Sequence, residues 1–348
     1  MLKENILANS YKAKRDDVDG FLEFFESYLD DLLHNLDEPL ISSAKHVVLA
    51  GGKRIRPQLC FYCGSRKTAN TKDLLKVSAI IELVHVATLV HDDLLDNAPI
   101  RRDSTTLHNV LGNHSAVLLG DALFSFALEL ATDFPTNRIC KIVSKATRLT
   151  CSGEIRQTNA QRDFNLSLDK YYHFLQDKTG ELFRASCQVG ALLAGHSDED
   201  INLVGDFGLQ LGICYQIYDD LLDCFGEGQK SDKSLGSDFD SGKFTLPFIL
   251  LLEELDAEQK SSISQMILAA ETERAEVLSQ ISNLYLEHGI ISKCMNEFSR
   301  NFDSINLLIN SLSDPFLREN LQGFLSYFKN KLSNLSNLSI SNFLAVHQ

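Results

Sequence analysis

Apolar residues dominate two long stretches of the chain, from Leu74 to Leu95 and from Ile201 to Leu222. In both stretches the apolar positions cover nearly every face of a helix, which is typical of helices buried inside a large bundle. We find no run of alternating β-branched residues bounded by turns, so strands are not predicted. Breaks separate the helical stretches at residues 50–52, 97–106, 134–135, 195–197 and 225–245. The pattern predicts an all-α fold built around two central helices.

The composition predicts how this fold is organised. It does not shift sharply anywhere along the 348 residues, so we predict one domain over residues 1–330. Residues 331–348 are repetitive in Leu, Ser and Asn and are predicted to be a C-terminal tail, either a short helix or frayed. The break at 225–245 is rich in Gly, Ser, Asp and Lys, which favours a phosphate-facing loop over a domain linker.

Charge and hydropathy narrow the class of protein. The formal net charge is −14, which argues against a nucleic-acid partner because phosphate-backbone binding needs a basic face. The N-terminus lacks the apolar core of a secretory signal, and no apolar run reaches the roughly 18 residues that span a bilayer. The eight cysteines, including the lone Cys60-x-x-Cys63 pair, are predicted to be reduced thiols. We therefore predict a cytoplasmic protein that is not integral to a membrane.

The pentapeptide DDLLD occurs twice, each time at the end of one of the two apolar stretches. Because residues four apart nearly eclipse on a helix, the three carboxylates of each copy share about 100° of arc and need a cation among them. Oxygen ligands without His or Cys select a hard cation, usually Mg²⁺ together with phosphate oxygens. A single copy could be a solvated acidic turn. Two copies favour a magnesium site formed by Asp92, Asp93, Asp96, Asp219, Asp220 and Asp223.

Basic residues lie near the acidic motifs in the sequence. In GGKRIRP, residues 51–57, two glycines let the backbone approach an anion and three cations follow, although a solvated basic turn is the alternative. Arg101 and Arg102 follow the first acidic motif and can neutralise phosphates that the metals also bridge. His85 is by default a core histidine, and single lysines are by default surface residues. Gln216 lies three residues before Asp219 and should point near the same helix face.

Taken in order, six segments closely resemble the trans-polyprenyl diphosphate synthases, in particular long-chain, octaprenyl-type members: GGKRIRP, HDDLLD followed by RR, GEIRQ, KTGELF, YQIYDDLLD and SDFDSGKFTLP. This resemblance implies a single-domain bundle of antiparallel helices around a large central cavity, usually in a homodimer. It also implies head-to-tail condensation of isopentenyl diphosphate with an allylic diphosphate, with three magnesium ions. The metals and cations would stabilise the departing diphosphate, while apolar walls would exclude water from the allylic cation.

The resemblance also implies roles for individual residues, in addition to magnesium binding by the six aspartates. It places isopentenyl diphosphate on Lys53, Arg56, His85 and Arg102. The allylic diphosphate is placed on Arg101, Lys178, Lys233 and Lys243. Lys178, Thr179 and Gln216 are the expected catalytic residues, with Thr179 and Gln216 facing the developing cation. Asp103 departs from the family pattern, because a glycine usually follows the paired arginines.

Product length depends on side chains below the reacting carbons. Positions one to two turns before Asp92 are Val84, Ala87 and Thr88, none of which is an aromatic that would plug the tunnel. We therefore expect a long, octaprenyl-like product such as a quinone side chain needs, unless Phe124 or Phe126 closes a deeper floor. A short-chain farnesyl or geranylgeranyl diphosphate synthase is the alternative. More distant alternatives are a class I terpene cyclase or a subunit of a heteromeric synthase.

Overall fold

A computed structural model describes residues 18–65, 70–102, 104–226, 239, 241–269, 274–332 and 338. The described chain is helical except for one small hairpin, β1 Ile100–Arg101 and β2 Ser104–Thr105. A π-helical turn, Gln176–Gly180, joins α8 to α9. The helices are α1 Val18–Leu33, α2 Glu38–Val48, α3 Ile55–Gly64, α4 Thr71–Leu95, α5 Leu107–Leu111, α6 Asn113–Thr132, α7 Arg138–Asn159, α8 Leu168–Leu175, α9 Glu181–Leu193, α10 Asp198–Phe225, α11 Leu246–Glu254, α12 Ala257–Ala269, α13 Arg274–Glu287, α14 Ile290–Ser311 and α15 Pro315–Lys331.

The two apolar stretches of the sequence form α4 and α10, the longest helices among the described residues. Each begins at a polar cap. The Asn70 side chain accepts a hydrogen bond from the Lys72 backbone at 3.0 Å, and the Ser197 hydroxyl accepts one from the Asp200 backbone at 3.1 Å. Both helices bury residues on most of their faces, which is why their apolar positions show little amphipathic periodicity. The prediction of an all-α bundle is confirmed.

Buried side chains form two hydrophobic clusters. One is built mainly from the N-terminal helices α1 to α7, and the other mainly from α8 to α15. A cavity lies between them and takes its apolar lining from both: Leu175 and Tyr215 belong to or pack against the C-terminal cluster, and Phe124 packs against the N-terminal one. The division of the core thus leaves a pocket in the middle of the bundle. The single-domain boundary at residue 330 stays a prediction.

Glycines let the helices α3, α9 and α10 pack closely against one another. A Cβ atom added at Gly190 of α9 would collide with the Cys60 carbonyl of α3. A Cβ at Gly208 of α10 would lie 2.6 Å from the Phe183 carbonyl oxygen of α9. Real Cβ atoms do not approach backbone this closely, so any larger residue would push the helices apart. The backbone of α9 is therefore held tightly between α3 and α10.

The hairpin was not predicted, because strands of two residues each are too short to show a sequence pattern. Its strands pair Ile100 with Thr105 and Arg101 with Ser104 in antiparallel register. The turn places Arg102 in the left-handed region at φ 49°. Asp103, which departs from the family pattern, lies outside the described residues. The hairpin fixes the direction in which Arg101 and Arg102 leave the backbone.

Two helices contain longer apolar stretches than the sequence analysis expected. By length and composition α4 and α6 could each cross a membrane, whereas the sequence was not expected to contain such a stretch. The apolar window of α4 is 72% buried inside the bundle and that of α6 is 44% buried. Burial in the core accounts for the composition of α4, and part of α6 remains on the surface. Cys60 and Cys63 are buried free thiols, and most of the predicted tail lies outside the described residues.

Substituting Gly190→Ala should destabilise the protein, because the new methyl group meets backbone atoms of α3 that cannot rotate away. Overpacking of this kind costs about 1–3 kcal/mol, which exceeds the gain in helix propensity of roughly 1 kcal/mol. Gly323→Ala in α15 is the matched control, since nothing lies within 4 Å of its added Cβ. The free energy of unfolding in urea should fall for Gly190→Ala and rise slightly for Gly323→Ala. Equal stability of the two variants would contradict the close contact.

Candidate active site

The cavity between the two core clusters has a volume of about 390 Å³ and gathers most of the predicted site residues. Its walls come from α4, α7, α8 with the π turn, and α10, and further lining comes from α3, α6, the glycine-rich loop and the hairpin. The predicted residues that line it are Lys53, Arg56, His85, Thr88, Asp92, Asp96, Arg101, Arg102, Lys178, Thr179, Gln216, Asp219, Asp220, Asp223 and Lys243. The two acidic motifs therefore share one pocket.

Asp93 is the exception among the six aspartates. It is 6% exposed and does not line the cavity; its carboxylate instead accepts a hydrogen bond of 2.5 Å from Arg101. A residue one position after Asp92 is rotated by about 100° on the helix, whereas Asp96 returns to nearly the same direction. Asp220 holds the same position in the second motif and does line the cavity, so the direction of Asp93 also depends on its contact with Arg101. The structure therefore gives Asp93 a contact with a cavity-lining arginine, in place of the direct access to a metal that the sequence suggested.

Asp220 in the second motif is held by a chain of hydrogen bonds. It is 4% exposed and accepts from the Tyr171 hydroxyl at 2.6 Å and from the Gln216 side-chain amide at 2.9 Å. The Thr179 hydroxyl donates to the same Gln216 side chain at 2.9 Å. Burial and the nearby Asp220 raise the pKa of Tyr171 well above its usual value, so the phenol keeps its proton and remains a donor. The network connects Thr179 and Gln216, two of the three predicted catalytic residues, to the second acidic motif.

The glycine-rich loop divides its cations between the cavity and the core. Lys53 and Arg56 line the cavity, but the Arg54 side chain is buried on the opposite side. Arg54 donates to Glu82 at 2.6 Å, to Glu26 at 2.7 Å and to the Val48 carbonyl at 2.8 Å. Arg54 also has a left-handed backbone, at φ 46°, which a non-glycine residue adopts only when its surroundings hold it there. This arginine anchors the loop rather than binding a ligand.

The cations at this side of the cavity form a preformed site for an anion. Burial lowers the pKa of Arg56 to about 10, and its Nε atom is buried without a hydrogen-bond partner in the described part of the chain. Burial and the nearby Arg56, Arg102 and Arg101 keep the pKa of His85 well below its usual value. Grouped positive charges with an unsatisfied buried donor are unfavourable alone and favourable around a phosphate.

Lys178 and Lys243 lie on the opposite side, close to the first acidic motif. Lys243 is buried and donates to Asp96 at 2.5 Å, and Lys178 donates to Gln157 at 2.9 Å and forms an ion pair with Glu154. Burial opposes the charge of Lys178, but Asp92, Glu154 and Asp96 outweigh it and raise the pKa. The Lys178 ammonium therefore keeps its proton at neutral pH. The two lysine side chains lie where they offset the negative charge of Asp92 and Asp96.

Glu154 and Gln157 belong to the site but were not assigned individually from the sequence. Both line the cavity from α7, and Glu154 lies between Lys178 and Lys243, with its carboxylate 3.9 Å from the latter. Their spacing of three residues on a helix, after a glycine, was the available signal. Lys233, also predicted to bind the allylic diphosphate, lies outside the described residues.

The predicted chain-length residues are found in two different environments. Thr88 lines the cavity, whereas Val84 and Ala87 do not line it and are buried in the N-terminal core cluster. Phe124 of α6 lines the cavity and packs against the His91 ring with centroids 5.7 Å apart. Phe126 is part of the same core cluster as Val84. Of the residues considered for product length, Thr88 and Phe124 are therefore the two that line the cavity.

The acidic residues suit a cation that is shared with a ligand. Among the described residues, no three His, Cys, Asp or Glu side chains converge closely enough to hold an ion by themselves. Magnesium typically binds through one or two carboxylates and completes its shell with water and substrate phosphates. Asp92 and Asp96 on one wall and Asp219, Asp220 and Asp223 on the other provide such partial sets of hard oxygen ligands. The donor chemistry therefore fits magnesium.

Comparison with known proteins agrees with this geometry. Residues 37–285 match the family model of the polyprenyl synthetases. The chain is 33% identical to the short chain isoprenyl diphosphate synthase of Methanocaldococcus jannaschii, over 70% of this chain and 74% of that protein. It is 32% identical to the octaprenyl diphosphate synthase of Escherichia coli, over 67% of this chain and 72% of that protein.

A solved structure extends the similarity to nearly the whole chain. The polyprenyl synthase of Caulobacter crescentus CB15, crystallised with calcium and isoprenyl diphosphate, superposes with a TM-score of 0.77. It is 27% identical, and the alignment covers 97% of both chains. The bundle, the shared acidic cavity and these similarities define an isoprenoid-synthesising transferase. The chain belongs to the polyprenyl synthetase family and is a prenyltransferase.

Proposed function

We propose that this protein condenses isopentenyl diphosphate head to tail with an allylic diphosphate to give an all-trans polyprenyl diphosphate. The observation that carries the proposal is one cavity that both acidic motifs line together with two sets of cations. Arg56 and Arg102 lie near His85, and Lys178 and Lys243 lie near the first acidic motif. Two cation groups fit two diphosphates, whereas a terpene cyclase needs one. The complex of the Caulobacter crescentus synthase with calcium and isoprenyl diphosphate supports a divalent metal and a substrate of this class.

The residues suggest how the reaction proceeds. Lys178, Lys243 and Arg101 stabilise the diphosphate that leaves when the allylic carbon–oxygen bond breaks. Asp92, Asp96 and the second acidic motif would hold magnesium, three ions by family resemblance. The bound metal would supply positive charge to the oxygens of the same diphosphate. Lys53, Arg56, His85 and Arg102 hold isopentenyl diphosphate, whose double bond attacks the allylic cation and forms the new carbon–carbon bond. The carbocation that results loses a proton, which the released pyrophosphate can accept, and a new double bond forms.

Thr179 and Gln216 form a polar part of the cavity wall. The oxygens of Thr179 and Gln216 lie 2.9 Å apart and face the cavity, where their dipoles can stabilise the allylic cation. Leu89, Phe174 and Leu175 add apolar surface to the lining and exclude water that would quench that cation. Together these groups allow the allylic cation to form without being hydrolysed.

Asp92→Asn and Asp96→Asn should each reduce turnover at least about 10²-fold, since metal stabilisation of a departing phosphate is worth several kcal/mol. The proteins should remain folded, as judged by circular dichroism. Asp133→Asn is the control, because Asp133 pairs on the surface with Lys76 at 2.8 Å. Release of pyrophosphate by the purified chain with magnesium is the measurement. Full turnover by Asp92→Asn would remove the metal assignment.

We further propose a long, octaprenyl-like product, of the kind that quinone side chains require. Thr88, the cavity-lining residue one turn before Asp92, is small, so α4 does not plug the cavity there. Relatives with both long-chain and short-chain names match the sequence, so the support comes from this wall. The alternative is a farnesyl or geranylgeranyl diphosphate synthase in which Phe124 forms the floor.

Product length should respond to these two side chains in opposite directions. Thr88→Phe should shorten the product, because its ring enters the cavity, and Phe124→Ala should lengthen it by removing a wall. Ala87→Phe is a useful contrast, since Ala87 is fully buried in the core and a larger ring there should reduce stability rather than tune length. Mass spectrometry of products made from farnesyl and isopentenyl diphosphates measures the effect. A wild-type product no longer than geranylgeranyl diphosphate would overturn the long-chain proposal.

A homodimer is the proposed assembly, and the surface of α5 and α6 supports it. Five large apolar side chains are exposed there: Val110, Leu111, Val117, Leu118 and Leu128. Exposed apolar patches of this kind commonly mark protein interfaces. A second copy of this chain would cover them, and a subunit of a different synthase is the alternative partner. The eight cysteines are free thiols, which favours a reducing compartment such as the cytoplasm.

Leu118→Glu should convert the protein to monomers, because it places a charge in the middle of the apolar surface. Leu307→Glu is the matched control, as Leu307 is equally exposed but lies on α14. Sedimentation velocity of each purified variant measures the change. A wild-type chain that is monomeric and inactive alone, but active with a second polypeptide, would favour the heteromeric alternative.

A further inference from the structure

The π turn that carries Lys178 and Thr179 also contains a buried acid with no place in the reaction. Lys178 and Thr179 line the cavity, whereas Asp177, directly before them, does not. Asp177 is only 3% exposed. A π turn interrupts the regular helical hydrogen bonds, and such turns are frequent at functional sites. Because the turn is irregular, the direction of its side chains depends on what holds it in place.

Asp177 is held by one cation from a neighbouring helix. Arg156 of α7 donates a short hydrogen bond to the Asp177 carboxylate, and the His173 ring lies 3.7 Å from the same oxygen. Arg156 also contacts the His173 ring nitrogen at 3.2 Å. A buried carboxylate needs a partner of opposite charge, because removing that partner leaves an uncompensated charge. The pair therefore fixes the outer side of the turn.

The same segment of α7 holds the inner side. Gly153 packs so closely on the turn that an added Cβ would lie 2.5 Å from the Lys178 backbone nitrogen. Glu154 pairs with the Lys178 ammonium, and Gln157 accepts from it at 2.9 Å. Residues 153–157 thus contact both sides of the turn. The Arg156–Asp177 ion pair joins two side chains that do not line the cavity.

We propose that Arg156 and Asp177 are positioning residues, which set the location of the Lys178 ammonium and the Thr179 hydroxyl without touching substrate. The pair locks the register of the π turn against α7, so that Lys178 meets the departing diphosphate. The inference rests on the proposed role of Lys178. Misplacement of a catalytic group by about 1 Å can cost roughly 10²-fold in rate, so a contact outside the cavity can matter this much.

The test measures binding of inorganic pyrophosphate, with magnesium present, by calorimetry on the full chain. Arg156→Met should weaken binding about ten-fold, as expected when one ligand is displaced. In a Lys178→Ala background the same substitution should have no further effect, because Arg156 acts through Lys178. Arg138→Met is the matched control: Arg138 is on the same helix and pairs with Asp198 at 2.6 Å on the surface. It should leave pyrophosphate binding unchanged.

Steady-state kinetics provide the second measurement. Arg156→Met should raise KM for the allylic diphosphate and lower kcat, with KM for isopentenyl diphosphate unchanged. Arg156→Lys keeps the charge and should restore most of the loss. If Arg156→Met does not fold, Asp177→Asn gives the same test, since it keeps the side-chain volume and an acceptor for Arg156 while removing the charge.

The outcomes separate the two proposals. If Lys178→Ala leaves pyrophosphate affinity unchanged, the assigned role of Lys178 is wrong. If Lys178→Ala weakens binding but Arg156→Met and Asp177→Asn do not, the positioning role is wrong. Additive losses in the double variant, or equal changes in KM for both substrates, would indicate a general structural effect and would also overturn it.

Discussion

The structure depends on mutual neutralisation of charge at the ends of two buried helices. Each acidic motif ends an apolar helix, so its carboxylates lie at a cavity wall where repulsion is poorly screened. Neighbouring side chains offset this negative charge or donate hydrogen bonds to it. Lys243 pairs with Asp96, Arg101 with Asp93, and Tyr171 donates to Asp220. Several of these groups are the ones assigned to diphosphate, so substrate and metal would replace contacts that already exist rather than enter an empty acidic pocket.

The bundle makes this arrangement possible by holding the backbone rigidly around the cavity. The two central helices are buried on most sides, and glycines bring α9 against both α3 and α10. Interiors packed at this density transmit small displacements instead of absorbing them. Lys178 and Thr179, the lysine and threonine that we propose act in the reaction, lie on the π turn between Gly153 on α7 and Gly212 on α10. Rigidity around an irregular turn fixes the side chains that the turn presents.

Much of the fold and of the acidic site could be predicted from the sequence. All-round apolar helices have a recognisable composition, and repeated aspartates at a spacing of four residues must share a helix face. The direction in which a side chain points relative to the neighbouring helices was harder to predict. Nothing in the sequence shows that Arg54 points into the core while Lys53 and Arg56 point into the cavity, because that depends on a left-handed residue in the loop. Likewise Ala87 and Thr88 are adjacent, yet only Thr88 reaches the cavity.

The hairpin after the first motif connects the end of α4 to the glycine-rich loop. Arg101 is bonded to Asp93 at the end of α4, and its neighbour Arg102 donates to the carbonyl of Gly51 across the cavity mouth. Surface hairpins usually tolerate inserted residues. Here one residue inserted before Ile100 would reverse the faces of β1 and with them the direction of Arg101, since side chains alternate along a strand. The length of this hairpin therefore determines whether Arg101 and Arg102 can keep these two contacts, so it is constrained as the preceding acidic motif is.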